Sequence, residues 1–120
     1  MTATGSVVVG ADGSPAARTA IEYALQDAAR RGARLRVVAA AQLPQYWAGG
    51  YGMTPVPAPV EIAEEMRSIA REQVEEVRSA HPEYVAVRVT VEAATGAPGA
   101  ILVEAAQGAD LLVLGHRGRG

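Results

Sequence analysis

Two glycine-containing segments, one near each end of the chain, carry residue types that could bind an anion. The first runs from Gly10 to Ser14 and the second from Gly115 to Gly118. Glycine has no Cβ and tolerates positive φ, so a turn built on it can direct several backbone N–H groups at one charged oxygen. A helix that begins directly after the first segment would add the positive end of its dipole. Together the two segments predict a phosphate-binding site, although each taken alone is also typical of an ordinary turn.

The polar side chains in these segments have structural as well as chemical interpretations. Asp12 suits an Asp-Gly turn, and because its carboxylate would repel a phosphate, a ribose, an adenine edge or a bound cation is its better partner. Ser14 precedes Pro15 and is a favourable N-cap, so we expect it to cap the helix and not to act as a nucleophile. A hydrolase built on Asp12, Ser14 and His116 is disfavoured, because the serine does not sit in a GxSxG elbow and shares its loop with the aspartate.

The composition excludes several classes of protein. The 120 residues include no cysteine and no lysine, and 11 basic residues against 13 acidic ones give a net charge of −2. A disulfide, a thiolate zinc site, a Walker A loop and a Schiff base are therefore all excluded. The near-neutral charge argues against a nucleic-acid partner. No apolar run is long enough to span a bilayer and no signal peptide is evident at Met1, so we expect a cytoplasmic protein without a membrane partner.

The elements that must position the two glycine segments follow from the hydrophobic pattern. A continuous β-branched run at residues 6–10 predicts a buried strand, and Pro15 opens an amphipathic helix that ends at Gly32. Residues 35–41 predict a second strand. Residues 44–59 contain four prolines and three glycines, which predicts a long loop.

The second half of the chain continues the alternation. Residues 60–79 carry an apolar stripe at helical spacing, which His81-Pro82 should end. Valines alternate with other residues over 85–91, a pattern typical of a half-exposed strand at the edge of a sheet. Residues 98–107 predict a short helix with Ile101, Leu102 and Ala105 facing inward. Residues 111–114 form the most apolar run, which predicts a buried central strand.

Strands that alternate with helices of crossover length predict an α/β fold with an open, doubly wound, mostly parallel sheet, here as one domain over residues 1–120. Ligands of such sheets bind outside the carboxyl ends of the strands, where the strand order reverses. If the first and last strands are neighbours, the two glycine segments face each other across one crevice at that place.

The two ends of the chain and their order resemble the universal stress protein family. The resemblance is carried by residues 7–14, by the alanine-rich helix that follows them and by residues 109–120, and it extends over essentially the whole chain. It implies a Rossmann-like sheet with the strand order 3-2-1-4-5 and a homodimer. In the nucleotide-binding branch of the family it also implies ATP or AMP, held across the point where the strand order reverses.

The resemblance further implies which residues contact the nucleotide. Asp12, with Ala11 beside it, corresponds to a position that contacts the adenosine portion, and Ala40 lies where backbone hydrogen bonds reach adenine. Gly115 and Gly118 correspond to ribose and phosphate contacts. The full set of implied nucleotide-binding residues is Ala11, Asp12, Gly13, Ser14, Ala40, Gly115, His116, Arg117 and Gly118.

The family pattern has parts that the printed sequence does not contain. Its phosphate motif continues after the Gly-x-x-Gly with nine residues and a Gly-Ser or Gly-Thr, and a fifth strand follows that commonly builds the dimer. The sequence ends at Gly120, two residues after the first half of that motif is complete at Gly118. We therefore expect the sheet order 3-2-1-4 here, a longer natural chain, and weakened triphosphate binding without the second half of the motif.

These inferences favour a stress-linked regulatory protein that binds ATP or AMP, with or without Mg²⁺ or Mn²⁺. Turnover should be slow or absent, because the sequence offers no lysine and no clear general base, and any ATP hydrolysis would depend on a metal ion. Two alternatives stay open. One is an interaction module of the same fold that dimerises without nucleotide, and the other is a small serine hydrolase that uses Ser14 and His116.

Overall fold

The structure is a computed structural model that describes residues 5–41 and 59–115. Strands and helices alternate along these residues, with one short 3₁₀ turn at Pro82–Tyr84. The strands are β1 (Ser6–Ala11), β2 (Arg34–Ala41), β3 (Val89–Thr95) and β4 (Leu111–Val113), and the helices are α1 (Pro15–Arg31), α2 (Pro59–Ala80) and α3 (Pro98–Ala105). The loop predicted at residues 44–59 lies outside the described residues, apart from Pro59, with which α2 begins.

The four strands form one parallel sheet in the order β3-β2-β1-β4. In its register Val7 of β1 lies between Leu35 of β2 and Leu111 of β4, and Leu35 in turn pairs with Val89 of β3. The α/β class and the expected order are therefore confirmed. The order reverses between β1 and β4, so the two predicted glycine segments leave neighbouring strands at the same edge of the sheet.

Helix α1 begins and ends where the local sequence predicts. Ser14 is extended (φ −82°, ψ 164°), and its hydroxyl accepts a hydrogen bond from the Ala17 N–H at 3.1 Å, while Pro15 occupies the first helical position. At the other end Gly32 adopts φ 68°, the left-handed conformation that only glycine enters without cost. The predicted N-cap role of Ser14 and the predicted helix end are both confirmed.

The main hydrophobic core lies between α1, α2 and one face of the sheet. Alternate residues of a strand point to opposite faces, so residues 7, 9 and 11 of β1 and residues 35, 37 and 39 of β2 enter this core. Its largest fully buried side chains include Val7, Val9, Ile21, Leu25, Leu35 and Val37. Burying a side chain of this size contributes about 1.5–3 kcal/mol each, so this layer fixes the positions of β1, β2 and α1.

Helix α3 lies against the other face of the sheet and is less deeply packed. Val8 and Val38 on that face are buried, whereas no residue of α3 is buried. Ile101, Leu102 and Ala105, the residues predicted to face inward, are half-buried. None of the helices described over 5–41 and 59–115 is long and apolar enough to cross a membrane.

Strand β3 begins later than the valine alternation predicts. The prediction placed it over residues 85–91, but the strand spans Val89–Thr95. The 3₁₀ turn at Pro82–Tyr84 continues into turn hydrogen bonds, from the Val85 N–H to the Pro82 carbonyl and from the Val87 N–H to the Tyr84 carbonyl. Val87 is therefore a buried residue of this turn and does not belong to a strand. The predicted edge position of β3 is confirmed.

The prediction of a buried central strand at residues 111–114 is wrong for the sheet that the structure describes. Strand β4 covers only Leu111–Val113, pairs with β1 alone, and has partly exposed residues throughout. Leu114, directly after it, is 56% exposed. A long apolar run is compatible with an edge strand as well as with a central one, because hydrophobicity alone does not specify how many neighbours a strand has.

Candidate functional site

The turn after β1 is stabilised by its own side chains. The Asp12 carboxylate accepts a hydrogen bond from the Ser14 N–H at 3.0 Å, and the Ser14 hydroxyl then caps α1. Gly13 between them adopts φ 82°. A Cβ at Gly13 would lie 3.2 Å from the Ile69 methyl group, so this glycine faces α2. Gly13 does not line the cavity described below, in contrast to its neighbours.

These internal hydrogen bonds limit what the start of α1 can offer to an anion. Pro15 has no N–H, and the N–H groups of Ser14 and Ala17 are already bonded to side chains of the turn. In the first turn of α1, as the described residues show it, Ala16 has the only N–H without a hydrogen bond. The sequence-based expectation of a phosphate at this helix end is therefore weakened, because such sites use several free N–H groups.

The end of β4 approaches the first turn of α1 very closely. A Cβ built on Gly115 would lie 2.8 Å from the Ala16 carbonyl oxygen and 3.2 Å from the Ala17 nitrogen. Both are backbone atoms that cannot rotate away, so a side chain is excluded at this position unless the backbone moves. Gly115 thus allows the chain leaving β4 to lie against α1, next to the turn that leaves β1.

A cavity of about 190 Å³ lies between the carboxyl ends of β1, β2 and β4. Five of the nine residues predicted to bind nucleotide line it, namely Ala11, Asp12, Ser14, Ala40 and Gly115. Gly10 lines it as well. The structure therefore brings together the end of β1, the end of β2 and the end of β4, as the sequence predicted. His116, Arg117 and Gly118 lie outside the described residues.

One wall of the cavity was not predicted. Pro98 and Leu102 of α3 close the side opposite α1, together with Leu114. A Cβ on Gly10 would lie 3.0 Å from a Leu102 methyl group, so the leucine rests directly on the floor of the cavity. The sequence predicted Leu102 as an inward-facing helix residue, but no local signal indicates that its side chain reaches Gly10 of β1.

The charge that the described residues bring to the cavity comes from one side chain. Asp12 is the only ionisable residue among the described lining residues. A carboxylate accepts hydrogen bonds from hydroxyl and amino groups and repels phosphate oxygens. Within residues 5–41 and 59–115 no group of three His, Cys, Asp or Glu side chains could hold a metal ion. The described part of the site therefore suits the uncharged, hydroxyl-bearing portion of a ligand.

A second and larger cavity, of about 710 Å³, lies at the opposite end of the sheet. Its lining includes Arg34 and Arg88 at the amino ends of β2 and β3, with Glu83 on the same rim. Helix α1 ends there, so carbonyl groups and not N–H groups point towards it. We place the candidate site at the smaller cavity, because it lies outside the carboxyl ends of the strands, where the strand order reverses.

Comparison with known proteins agrees with the resemblance found in the sequence. The model of the universal stress protein family matches residues 4–120. Universal stress proteins of Mycobacterium tuberculosis and Mycobacterium bovis are each 33% identical to this chain over 124 aligned residues. The alignment covers 95% of this chain and 39% of each relative, so the chain spans well under half the length of these proteins.

Solved structures show the same likeness. A universal stress protein crystallised in complex with cAMP is 31% identical, with a TM-score of 0.61, and the match covers 92% of this chain and 71% of that one. A protein of Mycobacterium tuberculosis is 29% identical with a TM-score of 0.61, covering 98% and 75% of the two chains. Since the family model matches nearly all of the sequence and the parallel sheet has the expected strand order, this chain belongs to the universal stress protein family.

Proposed function

We propose that this chain is a regulatory domain, formed by residues 1–120, that binds an adenine nucleotide at the carboxyl ends of β1 and β4. The observation that carries the proposal is the cavity itself. It lies where the strand order reverses, and its floor and rim contain Gly10 and Gly115, where side chains would fill space or collide with backbone. This placement supports a ligand site, because ligands of open parallel sheets bind outside the carboxyl ends of the strands, where the strand order reverses.

The chemistry of the lining suggests how the nucleotide would be oriented. The Asp12 carboxylate suits a donor such as a ribose hydroxyl or the adenine amino group, and Ala40 at the end of β2 offers backbone groups to the base. The start of α1 has few unbonded N–H groups, which disfavours a phosphate there. We therefore propose that the phosphates of the nucleotide contact Gly115 and the segment that contains His116, Arg117 and Gly118.

The identity of the ligand is proposed from the family. A universal stress protein that is 31% identical to this chain was crystallised in complex with cAMP, an adenine nucleotide with a single phosphate. AMP and ATP, the ligands expected from the sequence, share its adenosine portion. Since no cluster of three possible metal ligands occurs in the described part of the chain, Mg²⁺ or Mn²⁺ would be held mainly by the phosphates of a nucleotide.

The proposal assigns binding and not turnover to this chain. The Ser14 hydroxyl accepts the N–H of Ala17, an arrangement that uses the serine as a helix cap. We accordingly expect that replacing Ser14 affects stability, and that the purified protein hydrolyses ATP slowly or not at all.

The proposal is tested by calorimetric titration of the 120-residue protein with cAMP, AMP and ATP. Asp12→Asn keeps a side-chain oxygen for the Ser14 N–H but removes the charge and one acceptor, so we expect about tenfold weaker binding of all three ligands. Glu72→Gln, a neutralisation on the exposed face of α2, serves as the matched control and should bind as the parent does. The absence of saturable binding by the parent up to millimolar nucleotide would refute the proposal.

A second candidate function is that of an interaction module that forms homodimers without nucleotide. It is favoured by two exposed apolar side chains near α3 and β4, since Val103 is 63% and Leu114 is 56% exposed. In the described sheet β4 also pairs on one side only. Sedimentation of the parent and of Val103→Ser distinguishes the two candidates, because a dimer that depends on this surface should dissociate in the variant whether or not nucleotide is present.

A further inference from the structure

Arg36 joins three elements of the fold through one side chain. It lies on β2, on the face of the sheet that α3 covers. Its Nε and Nη2 atoms donate to the two carboxylate oxygens of Glu92 on β3, at 2.9 Å and 3.0 Å. Its Nη1 atom donates to the carbonyl oxygen of Ala105, the last residue of α3, at 3.0 Å. The guanidinium group therefore fixes the carboxyl end of α3 relative to two neighbouring strands.

This contact matters because α3 has few other attachments. None of its residues is buried, and its N-cap residue Ala97 makes no side-chain capping hydrogen bond. Its half-buried residues are Pro98, Ile101, Leu102 and Ala105. A cation at the last carbonyl of a helix is favourable both as a hydrogen-bond donor and towards the negative end of the helix dipole.

The other end of α3 forms the unpredicted wall of the nucleotide cavity. Pro98 and Leu102 line that cavity, and Leu102 rests on Gly10 at its floor. Because a helix of eight residues moves as one rigid piece, a shift at Ala105 is transmitted to Leu102 within the next turn. The width of the cavity between Leu102 and the first turn of α1 thus depends on where Arg36 holds α3.

We propose that Arg36 is a positioning residue for the nucleotide cavity. By holding the carboxyl end of α3 against the sheet, it keeps Leu102 in the position in which this side chain forms a wall of the cavity. Arg36 is not one of the residues that line the cavity, so its effect on ligand affinity is indirect. The proposal rests on the proposed nucleotide-binding function for its ligand, although the position of α3 is measurable without any ligand.

Arginine is required for this role by its geometry. A guanidinium group presents a planar fork that pairs with both oxygens of a carboxylate and still has an N–H directed elsewhere. A lysine at this position would keep the positive charge, but its single ammonium group cannot reproduce the paired contact with Glu92 and the contact with Ala105 together. Arg36→Lys therefore separates geometry from charge.

The experiment compares Arg36→Lys and Arg36→Met with Arg34→Met. Arg34 lies two residues earlier on the same strand and has an exposed side chain with no hydrogen bond seen among the described residues, so its replacement removes the same charge without releasing α3. Hydrogen exchange of the α3 amides and the methyl NMR signals of Leu102 are recorded without ligand. Calorimetry with cAMP and AMP then gives the affinities.

We expect both Arg36 variants to exchange the amides of residues 102–106 roughly tenfold faster, while the amides of β1 keep their protection, because one charge-assisted hydrogen bond is of that magnitude. The Leu102 methyl signals should shift, and the affinity for nucleotide should fall by a similar factor. Arg34→Met should match the parent in all three measurements. If Arg36→Met is too unstable to purify, Arg36→Lys alone carries the comparison.

Parent-like exchange and parent-like Leu102 signals in Arg36→Lys would overturn the proposal. So would altered exchange with an unchanged affinity, since α3 would then move without affecting the cavity. If the parent itself binds no nucleotide, the proposed function fails, and with it the effect on affinity, whereas the exchange data still decide whether Arg36 holds α3.

Discussion

Replacing Gly115 by alanine tests the close approach of β4 to α1. The added methyl group would lie 2.8 Å from the Ala16 carbonyl oxygen and 2.9 Å from its carbonyl carbon. Since favourable contacts between such atoms lie at about 3.5 Å or more, β4 and the first turn of α1 must separate by roughly 0.6–0.7 Å. Forcing such a shift in a packed region costs about 1–3 kcal/mol.

The assay is urea unfolding followed by circular dichroism, together with nucleotide titration. We expect Gly115→Ala to lower the free energy of unfolding by about 1–3 kcal/mol and to weaken nucleotide binding, because the separation opens the cavity between the two elements. Gly99→Ala is the matched control. No atom lies within 4 Å of a Cβ at Gly99, which is in α3, so alanine there should be neutral or stabilising by up to about 1 kcal/mol.

The result that would refute this reasoning is equal stability of Gly115→Ala and the parent protein. In that case the backbone of α1 and the end of β4 could not be in the close contact described above. A loss of stability with unchanged nucleotide affinity would instead show that Gly115 matters for packing but not for the proposed binding site.

Three further predictions concern the cap, the ion pair and the core. Ser14→Ala should lower the free energy of unfolding by about 1 kcal/mol, because the Ala17 N–H loses its acceptor, and urea unfolding measures this loss. The hydrogen bonds from Arg36 lower the pKa of Glu92 below its ordinary value of 4.5. The pair therefore stabilises the fold above that value and loses its contribution as the pH falls through the lowered pKa, so thermal unfolding of Glu92→Gln should vary less with pH in that acidic range than unfolding of the parent. Leu35→Ala should cost about 2–5 kcal/mol, because the leucine is fully buried beneath α1, and a loss below 1 kcal/mol would contradict the described core.

The parts of the fold that sequence reasoning predicted well are those with local signals. Ser14-Pro15 and Gly32 mark the two ends of α1 by capping and by a left-handed glycine, which act within a few residues. The parallel sheet followed from the alternation of strands and helices, whereas its strand order was implied only by the family resemblance. The start of β3 was misplaced, because the valine alternation extends through a turn whose hydrogen bonds depend on Pro82 and Tyr84.

The part of the site that sequence reasoning predicted consists of residues next to the ends of predicted strands. Asp12 and Gly115 lie directly after strands, so their meeting at one edge follows from the topology of a parallel sheet. The wall formed by Leu102 depends on how α3 crosses the sheet, and the partner of Arg36 lies 56 residues away at Glu92. Such tertiary pairings leave no periodic trace in a single sequence. Sequence reasoning also missed that the N–H groups at the start of α1 are bonded to side chains of the preceding turn. Ser14 as the N-cap and Pro15, which has no N–H, already indicated that few of these groups would be available to an anion.

The candidate cavity is lined both by residues between Gly10 and Ala17 and by Leu114 and Gly115, which lie almost the full length of the described chain apart. No fragment that lacks either strand can assemble it, so binding competence arises only after β4 has docked beside β1. Any molecule that occupies the cavity therefore selects the completely folded chain over partly folded forms and raises its population by mass action. We therefore expect added ligand to slow the proteolysis of the purified protein, because the protease cleaves the partly folded forms that ligand binding depletes.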